Sequence, residues 1–327
     1  MTATAVTGDH AIMSPKRILV TGAAGFVGAV LARRLLAAGH EVHVVLKSTS
    51  ASWRLADVFR DLRVHSGDLT DEGHTQALVG AIRPEVIYHL ATHGAYPFQT
   101  NADDIIQANI LGTWNLLKAS ARVDYEVFVN TGSSSEYGFK EYAMRETDLL
   151  EPNSYYSVAK CAQTLLCQHI AKTEQRSITT FRLFSVYGPF EEPTRLIPTV
   201  IRLCLEGRDL MLVDPETARD FVYVDDVVDA YLTIDKLAGL RGEIVNIGTG
   251  VQRTLAQVVT AVLREAGATV QCHWGAMPAR IWDAKTWVAD CTKSRRLLGW
   301  RPTTSLAEGI GRTVEWMRER RDARGVA

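Results

Sequence analysis

Two hydrophobic periods alternate along this chain. The run RILVT (17–21) is short and β-rich, and a glycine-rich turn separates it from Phe26, Val30, Leu31, Leu35 and Leu36, which are spaced as on one helix face. Gly39 closes that helix. EVHVVL (41–46) predicts a second strand, LRVHSGDL a third, and EVIYHL a fourth after a helix near 72–82. A long helix is predicted over about 103–120, a fifth strand at EVFVNTGS, a second long helix over about 154–172, and a sixth strand at ITTFRLF. Such alternation implies an α/β fold, a doubly wound parallel sheet covered by helices on both faces, over residues 16–182. After Leu183 the elements shorten and Pro189, Pro193 and Pro198 fall close together. A smaller lobe is expected over 183–327, with a segment near 220–250 returning to the first unit through a strand at VNIG (245–248). Residues 1–15, MTATAVTGDHAIMSP, read as a loose leader.

Composition narrows the partners. The 327 residues are 46% hydrophobic and 22% charged, with a net charge of −1. That balance gives no long-range attraction to nucleic acid or an anionic membrane, so an anionic ligand must be held by local arginines and backbone amides. Five cysteines, an odd number with no CxxC pair, fit buried thiols of a cytoplasmic protein. No apolar run approaches the ~20 residues that a membrane-spanning helix needs.

The turn TGAAGFVG places Gly22, Gly25 and Gly28 between a strand and a helix. Gly22 permits the turn, Gly25 lets backbone approach a pyrophosphate, and Gly28 lets helix and strand pack closely. The helix N-terminus offers amides to phosphates, so the first unit is expected to be a Rossmann-like dinucleotide site. Asp68, after the third strand, either meets an adenine amino group or caps a helix. At the end of the second strand, where a carboxylate would hold the ribose hydroxyls of NAD, the chain has Lys47, Ser48 and Thr49. A carboxylate there would repel the 2′-phosphate of NADP, and Lys47 would attract it. Arg54 is expected to swing in as a second cation. The alternative is a solvated lysine with NAD bound.

PNSYYSVAK sets Tyr156 four residues before Lys160, on one helix face, with Tyr155 pointing elsewhere. A nearby ammonium favours phenolate, so Tyr156 is expected to have a lowered pKa and to move protons near neutral pH. TGSSSEYG ends the fifth strand with three hydroxyls, at the edge of the sheet where ligands sit.

With these motifs, and with NILGTWNLL, FRLFSVYGP, RDFVYVDDVVDA, NIGTG and WVADCTKSRRLLGWRPTTSLAEGI in order, the chain resembles the extended short-chain dehydrogenase/reductase family over residues 16–312. The resemblance implies an enzyme acting on nucleotide-diphosphate sugars. It implies Ser133 as the catalytic hydroxyl with Ser134 as fallback, Tyr156 as acid/base, and Lys160 holding the nicotinamide ribose. Phe26, Val27, Leu69, Leu90, Ala91 and Asn109 would complete the cofactor contacts. Arg219, unless it pairs with Asp220 or another acid, and Arg280 would hold the substrate diphosphate, with Ser134 and Ser185 nearby.

Two departures matter. Ser185 stands where the family often has asparagine. The family's 4,6-dehydratases carry an acid one or two places after the catalytic hydroxyl, but here Ser134 and Ser135 precede the first acid, Glu136. Some relatives that use NADP carry a basic-serine-serine run like the one at Lys47. The expected cofactor is therefore NADP, as NADPH, with NAD as the other possibility. The expected reaction is reduction of a nucleotide-diphosphate 4-keto-6-deoxyhexose. The alternative is an NAD-dependent 4-epimerase; a dehydratase or a cofactor-binding protein without catalysis ranks below both.

His89 and His93 are four apart but lie on a strand and a loop without a third ligand, so no metal is expected. Asp225 and Asp226 are expected to open a helix. Trp274, Trp282 and Trp287 either pack core or lie beside a base. Trp114, Leu116 and Leu117 on the first long helix and Leu165, Leu166 and Ile170 on the second exceed what one sheet face covers. In relatives these helices pair across a two-fold axis, so a homodimer through a four-helix bundle is expected.

Overall fold

The computed structural model describes residues 14–50, 52–278 and 284–325. Seven parallel strands form the central sheet: β1 (Arg17–Thr21), β2 (Glu41–Leu46), β3 (Arg63–Ser66), β4 (Val86–His89), β5 (Val127–Ser133), β6 (Ile178–Leu183) and, after three strands of the second lobe, β10 (Glu243–Ile247). Their order is β10-β6-β5-β4-β1-β2-β3. The return strand read from VNIG pairs in parallel with β6, Val245 opposite Phe181.

Burial explains the strand composition. All four residues of β4 are buried, because helices cover both faces of a parallel sheet. Ile18, Val20, Val42, Val44 and Tyr88 face one core, and Leu19, Val45, Ile87 and Phe128 face the other, the alternation that a pleated strand imposes. The covering helices include α1 (Phe26–Ala37), α2 (Glu72–Ile82), the pair α3 (Ala102–Ile106) and α4 (Gly112–Ser120), and α5 (Tyr155–Thr173).

The first long helix is not uniform. Asn101 caps it by accepting from the Asp103 amide at 2.9 Å, and between α3 and α4 it widens into a π turn over Gln107–Leu111. Wide turns of this kind recur at functional sites. Leu116 and Leu117 are buried in the core under the sheet, which corrects their reading as surplus surface. The apolar residues left exposed on these helices are Ile106, Leu111 and Trp114, with Val158 and Leu165 on α5.

The second lobe carries a three-stranded sheet of β7 (Ser185–Tyr187), β9 (Ala218–Tyr223) and β11 (Gln252–Thr254), and a pair of β8 (Leu210–Met211) and β12 (Cys272–His273). Around them pack α6 (Leu196–Leu205), α9 (Leu255–Ala266) and α11 (Leu306–Gly325), while α7 (Val224–Tyr231) runs between this lobe and α1, and α8 (Ile234–Leu237) and α10 (Thr292–Leu298) lie together beside β10. Asp225 and Asp226 do open α7, but Asp226 also binds the Thr303 and Thr304 amides at 3.0 and 3.1 Å, fastening the late segment to the helix. Among the described residues no helix is long and apolar enough to cross a membrane.

Strand order reverses between β1 and β4. In open α/β sheets, ligands lie in the crevice at the carboxyl ends of the strands flanking that point. Gly22 follows β1, Leu90 follows β4, and Ser133 ends β5 on this edge.

Candidate active site

The crevice begins with a turn that a side chain would block. Gly22 has φ +73°, and a Cβ there would lie 2.5 Å from the Ala91 nitrogen and the Leu90 carbonyl carbon. A Cβ on Gly28 would strike the Gly22 carbonyl oxygen. Gly25 is the N-cap of α1 and offers no capping side chain. Helix geometry gives the amides of Phe26, Val27 and Gly28 no intrahelical acceptor. Amides, helix dipole and close backbone together fit a pyrophosphate.

At the adenosine side, Lys47 lies one residue beyond β2 and gives its ammonium to Asp68 Oδ2 at 2.8 Å. Asp68 Oδ1 accepts the Thr70 amide at 3.0 Å. The cap of α2 is Asp71, which accepts from His74 at 2.9 Å, so Asp68 is not a helix cap. Leu69 is buried beside Asp68, and Ser48 lies in the exposed turn after Lys47.

Arg54 departs from expectation. It is 7% exposed, donates to the Phe190 carbonyl at 2.7 Å and to Glu192 at 3.1 Å, and stacks 4.4 Å from the Trp53 ring. Its guanidinium braces the segment after β7 instead of standing ready as a second phosphate cation.

Ser154 caps α5 through a reciprocal box with Ser157. That start exposes Tyr155 and turns Tyr156 inward. Ser133 caps the short turn at 134–137: its Oγ accepts the Ser135 amide at 3.2 Å and bonds the Ser135 hydroxyl at 2.8 Å. The Ser133 and Thr92 hydroxyls both lie near enough to the Tyr156 phenol to favour its ionisation. The fold thus brings Ser133 and Tyr156 together from β5 and α5. Thr92 joins them from the segment after β4, which no motif in the sequence marks.

The expected lowering of the Tyr156 pKa is reversed. Burial pushes it up to about 12, against the opposing pull of the nearby Ser133 and Thr92 hydroxyls. The reason is where Lys160 points. Its Nζ donates to the Thr131 carbonyl and to Gln163 Oε1, both at 2.9 Å, and lies 5.9 Å from the Tyr156 ring centre. Lys160 is 1% exposed, and burial pushes its pKa down to about 8.

Glu136 is also deeply buried and fully engaged. Oε1 accepts the Ser133 amide at 2.8 Å, and Oε2 accepts from Arg182 at 2.8 Å. Burial pushes the Glu136 carboxyl up, with the Arg182 charge opposing. The pair was not foreseen, although Glu136 and Arg182 both sit in segments singled out for their chemistry.

Asn109 is wholly buried in the π turn. Its side chain accepts from Thr92 Oγ1 at 2.8 Å and from the His93 amide at 3.0 Å, and donates to the His93 carbonyl at 2.7 Å. It therefore shapes the segment that carries Thr92. His89 bonds Thr21 through Nδ1 at 2.7 Å and Thr113 through Nε2 at 2.8 Å, so hydroxyls occupy both ring nitrogens.

On the substrate side, Ser134 departs from its expected role. It is buried, and its Oγ accepts from the Trp287 indole at 3.0 Å. Trp287 packs in a small core with Tyr137 and Phe184, and the Arg219 guanidinium lies 5.0 Å from its ring centre. Arg219 also donates to the Ala218 carbonyl at 2.7 Å. Asp220 turns away to bind the amides of Thr249, Gly250 and Ala289 at 2.8, 2.9 and 3.1 Å. Ser185 heads β7 opposite Phe221, two residues beyond Arg219. Trp274 packs against the main core, whereas Arg280 and Trp282 lie outside the described residues.

Comparison with known proteins agrees with this architecture. The profile of the NAD dependent epimerase/dehydratase family matches residues 18–248. A UDP-glucose 4-epimerase of Mycolicibacterium smegmatis is 33% identical over 320 residues, covering 93% of this chain and 99% of that enzyme. The crystal structure of a Thermotoga maritima UDP-glucose 4-epimerase with UDP-glucose superposes with a TM-score of 0.85 at 28% identity, over 93% of this chain and 99% of that one. A Bacillus cereus UDP-glucuronic acid 4-epimerase, crystallised with UDP-glucuronic acid and NAD, gives 0.83 at 26% identity, over 92% and 99%. Profile, length and fold agree, and this chain is a member of the NAD-dependent epimerase/dehydratase family of extended short-chain dehydrogenases/reductases.

Proposed function

We propose that this protein is an NAD-dependent 4-epimerase of a nucleoside-diphosphate hexose. The observation that carries the reading is the meeting of the Ser133 and Tyr156 hydroxyls at the mouth of a dinucleotide turn, with both oxygens of the nearest acid, Glu136, already engaged. A dehydratase needs an acid to protonate the departing hydroxyl, and Glu136 is held away from that task. The sugar-nucleotide epimerases among its relatives support the same choice.

The glycine turn and the α1 amides would hold the pyrophosphate, and Lys160 would give its third N–H bond to the nicotinamide ribose. When bound, NAD supplies a hydride acceptor for C4 and a positive ring charge near Tyr156. Tyr156, as the phenolate which that charge favours, would take the proton of the C4 hydroxyl as the C4 hydrogen leaves with its electron pair, and Ser133 would donate a hydrogen bond to the oxygen that becomes the 4-keto group. After the sugar turns over, Tyr156 returns the proton to that oxygen as C4 is reduced from its other face. Arg219 and Arg280 are assigned to the substrate diphosphate.

The reductase expected from the sequence loses much of its support here, because Lys47 is paired with Asp68 and Arg54 is buried on Glu192. One observation still favours NADPH: the residue just beyond β2, where a carboxylate would hold the ribose of NAD, is the cation Lys47. Identifying the dinucleotide released on denaturing the purified protein separates the readings. NAD supports the epimerase, and NADP overturns it. Lys47→Asp should weaken NADPH at least about tenfold more than NADH, since it sets a carboxylate against the phosphate and frees Asp68 to add a second. Equal losses in a fluorescence titration would show that Lys47 does not sense that position.

The exposed Ile106, Leu111, Trp114, Val158 and Leu165 lie on helices that pack side by side. We assign this patch to a two-fold dimer, which would brace the helix carrying Tyr156. Leu165→Arg should yield a monomer in sedimentation and a lower kcat. Full activity from a wild-type monomer would remove the assignment.

A further inference from the structure

Behind Lys160 lies a chain of buried side chains whose donors and acceptors can be assigned without ambiguity. Lys160 Nζ can only donate, so Gln163 turns Oε1 toward it at 2.9 Å and points Nε2 at Thr113 Oγ1, also at 2.9 Å. Thr113 spends its one hydroxyl hydrogen on the Asn109 carbonyl of the π turn at 2.6 Å. Its oxygen must therefore accept from the third neighbour, His89 Nε2, at 2.8 Å. His89 is held neutral by burial, which pushes its pKa down to about 3, so Nδ1 accepts from the Thr21 hydroxyl at 2.7 Å. Thr21 in turn accepts the Ala91 amide at 3.2 Å. Gln163, Thr113 and His89 are each essentially inaccessible to solvent.

Two branches converge on Thr113 and end at a backbone carbonyl. A carbonyl cannot pass a proton on, so the chain is not a proton wire. It is a rigid backing, tied to β1 just before Gly22, to the segment after β4, and to the π turn. One end is Gln163 Oε1, on the Lys160 ammonium, and the other is Thr21, beside the Gly22 turn.

We propose that Gln163, oriented by Thr113 and His89, is a positioning residue for Lys160: with the Thr131 carbonyl it fixes the ammonium 5.9 Å from the Tyr156 ring centre. The role of Lys160 rests on the functional reading above, but its hold by Gln163 does not, and the two are tested separately. The groups facing Lys160 are Glu136 on the turn after β5, Cys167 on its own helix, His89 on β4 and Tyr156. None of them changes in the variants below.

The test is the titration of Lys160 followed by NMR on protein with isotope-labelled lysine side chains, the resonance being assigned with Lys160→Met. Gln163→Met removes the acceptor while keeping the volume, so Lys160 should lose its proton at lower pH than in the wild type. Gln163→Glu supplies a charged acceptor and should shift the titration to higher pH. Thr113→Val frees the amide to turn over and should act in the direction of Gln163→Met. A role in packing alone would not move the titration in opposite directions with methionine and glutamate. If the wild type turns over nucleotide sugars, Gln163→Met should lower kcat about tenfold with KM within about twofold, the scale of a hydrogen bond to a charged group, and Gln163→Glu should recover most of the loss. An unchanged Lys160 titration in folded Gln163→Met and Gln163→Glu overturns the proposal whatever the activity. Opposite shifts in the two variants, with a wild type that turns over no nucleotide sugar, leave the positioning intact and refute the functional reading instead.

Discussion

Tyr156→Phe is expected to lower kcat by about 10²- to 10⁴-fold, the range contributed by a positioned acid or base, while leaving dinucleotide affinity nearly intact. The phenol is the group on which the Ser133 and Thr92 hydroxyls converge, and phenylalanine keeps the ring that packs near Lys160. Tyr155→Phe should change little, because Tyr155 points out of the site with 65% of its surface exposed. The raised pKa means that Tyr156 is a neutral phenol in the protein alone. Its use as a base therefore depends on the positive ring charge that oxidised NAD brings. Loss of turnover in the Tyr155 variant, with activity kept in Tyr156→Phe, would mean that the start of α5 had been misassigned. Steady-state kinetics and cofactor titration on the two variants decide this.

The largest effect on stability is expected from the Glu136–Arg182 pair. Both side chains are essentially buried, and removing one partner of a buried ion pair strands the other charge, at a typical cost of about 3–5 kcal/mol. Arg182→Met should lower the unfolding free energy by an amount in that range and leave Glu136 to take up a proton. Glu136→Gln should cost at least as much, since its single amide oxygen can serve only one of the two donors, the Ser133 amide and Arg182 Nε, and Arg182 cannot shed its charge. The double variant should be more stable than the sum of the two losses, because no unpaired charge remains. Strict additivity in urea unfolding would show that the pair is not coupled. Since Glu136 also holds the Ser133 backbone, both single variants should reduce kcat beyond any loss of folded protein.

Much of the architecture was legible because its determinants are local. The short β-rich runs of β1 to β6 and the helical spacing of α1 are written in neighbouring residues, and even the return strand at VNIG showed its β-rich character. The glycine turn was legible for the same reason: Gly22 and Gly28 answer to contacts within a few residues and to the segment after β4. What could not be read was which polar partner each side chain finds across the sheet. Lys160 was expected to act on Tyr156 because they share a helix face, but Gln163, one turn further along that same helix, takes the ammonium instead. Ser134 looked available to substrate until Trp287, 153 residues away, claimed its hydroxyl. Arg54 and Lys47 looked like phosphate cations until Glu192 and Asp68 were placed beside them. Leu116 and Leu117 looked like interface because the helix carries apolar residues on several sides, and only the packed sheet shows which sides it covers.

The central claim is that one active site removes and restores hydrogen at C4 of an intact nucleotide sugar. The most direct measurement follows UDP-glucose carrying deuterium at C4, incubated with the purified protein without added cofactor. The account predicts the C4 epimer, with deuterium retained at C4 and no net change in absorbance at the wavelength of reduced nicotinamide. If the sugar stays unchanged, and a nucleotide 4-keto sugar is instead consumed only when NADPH is added and oxidised in equal amount, the epimerase is contradicted and the reductase takes its place.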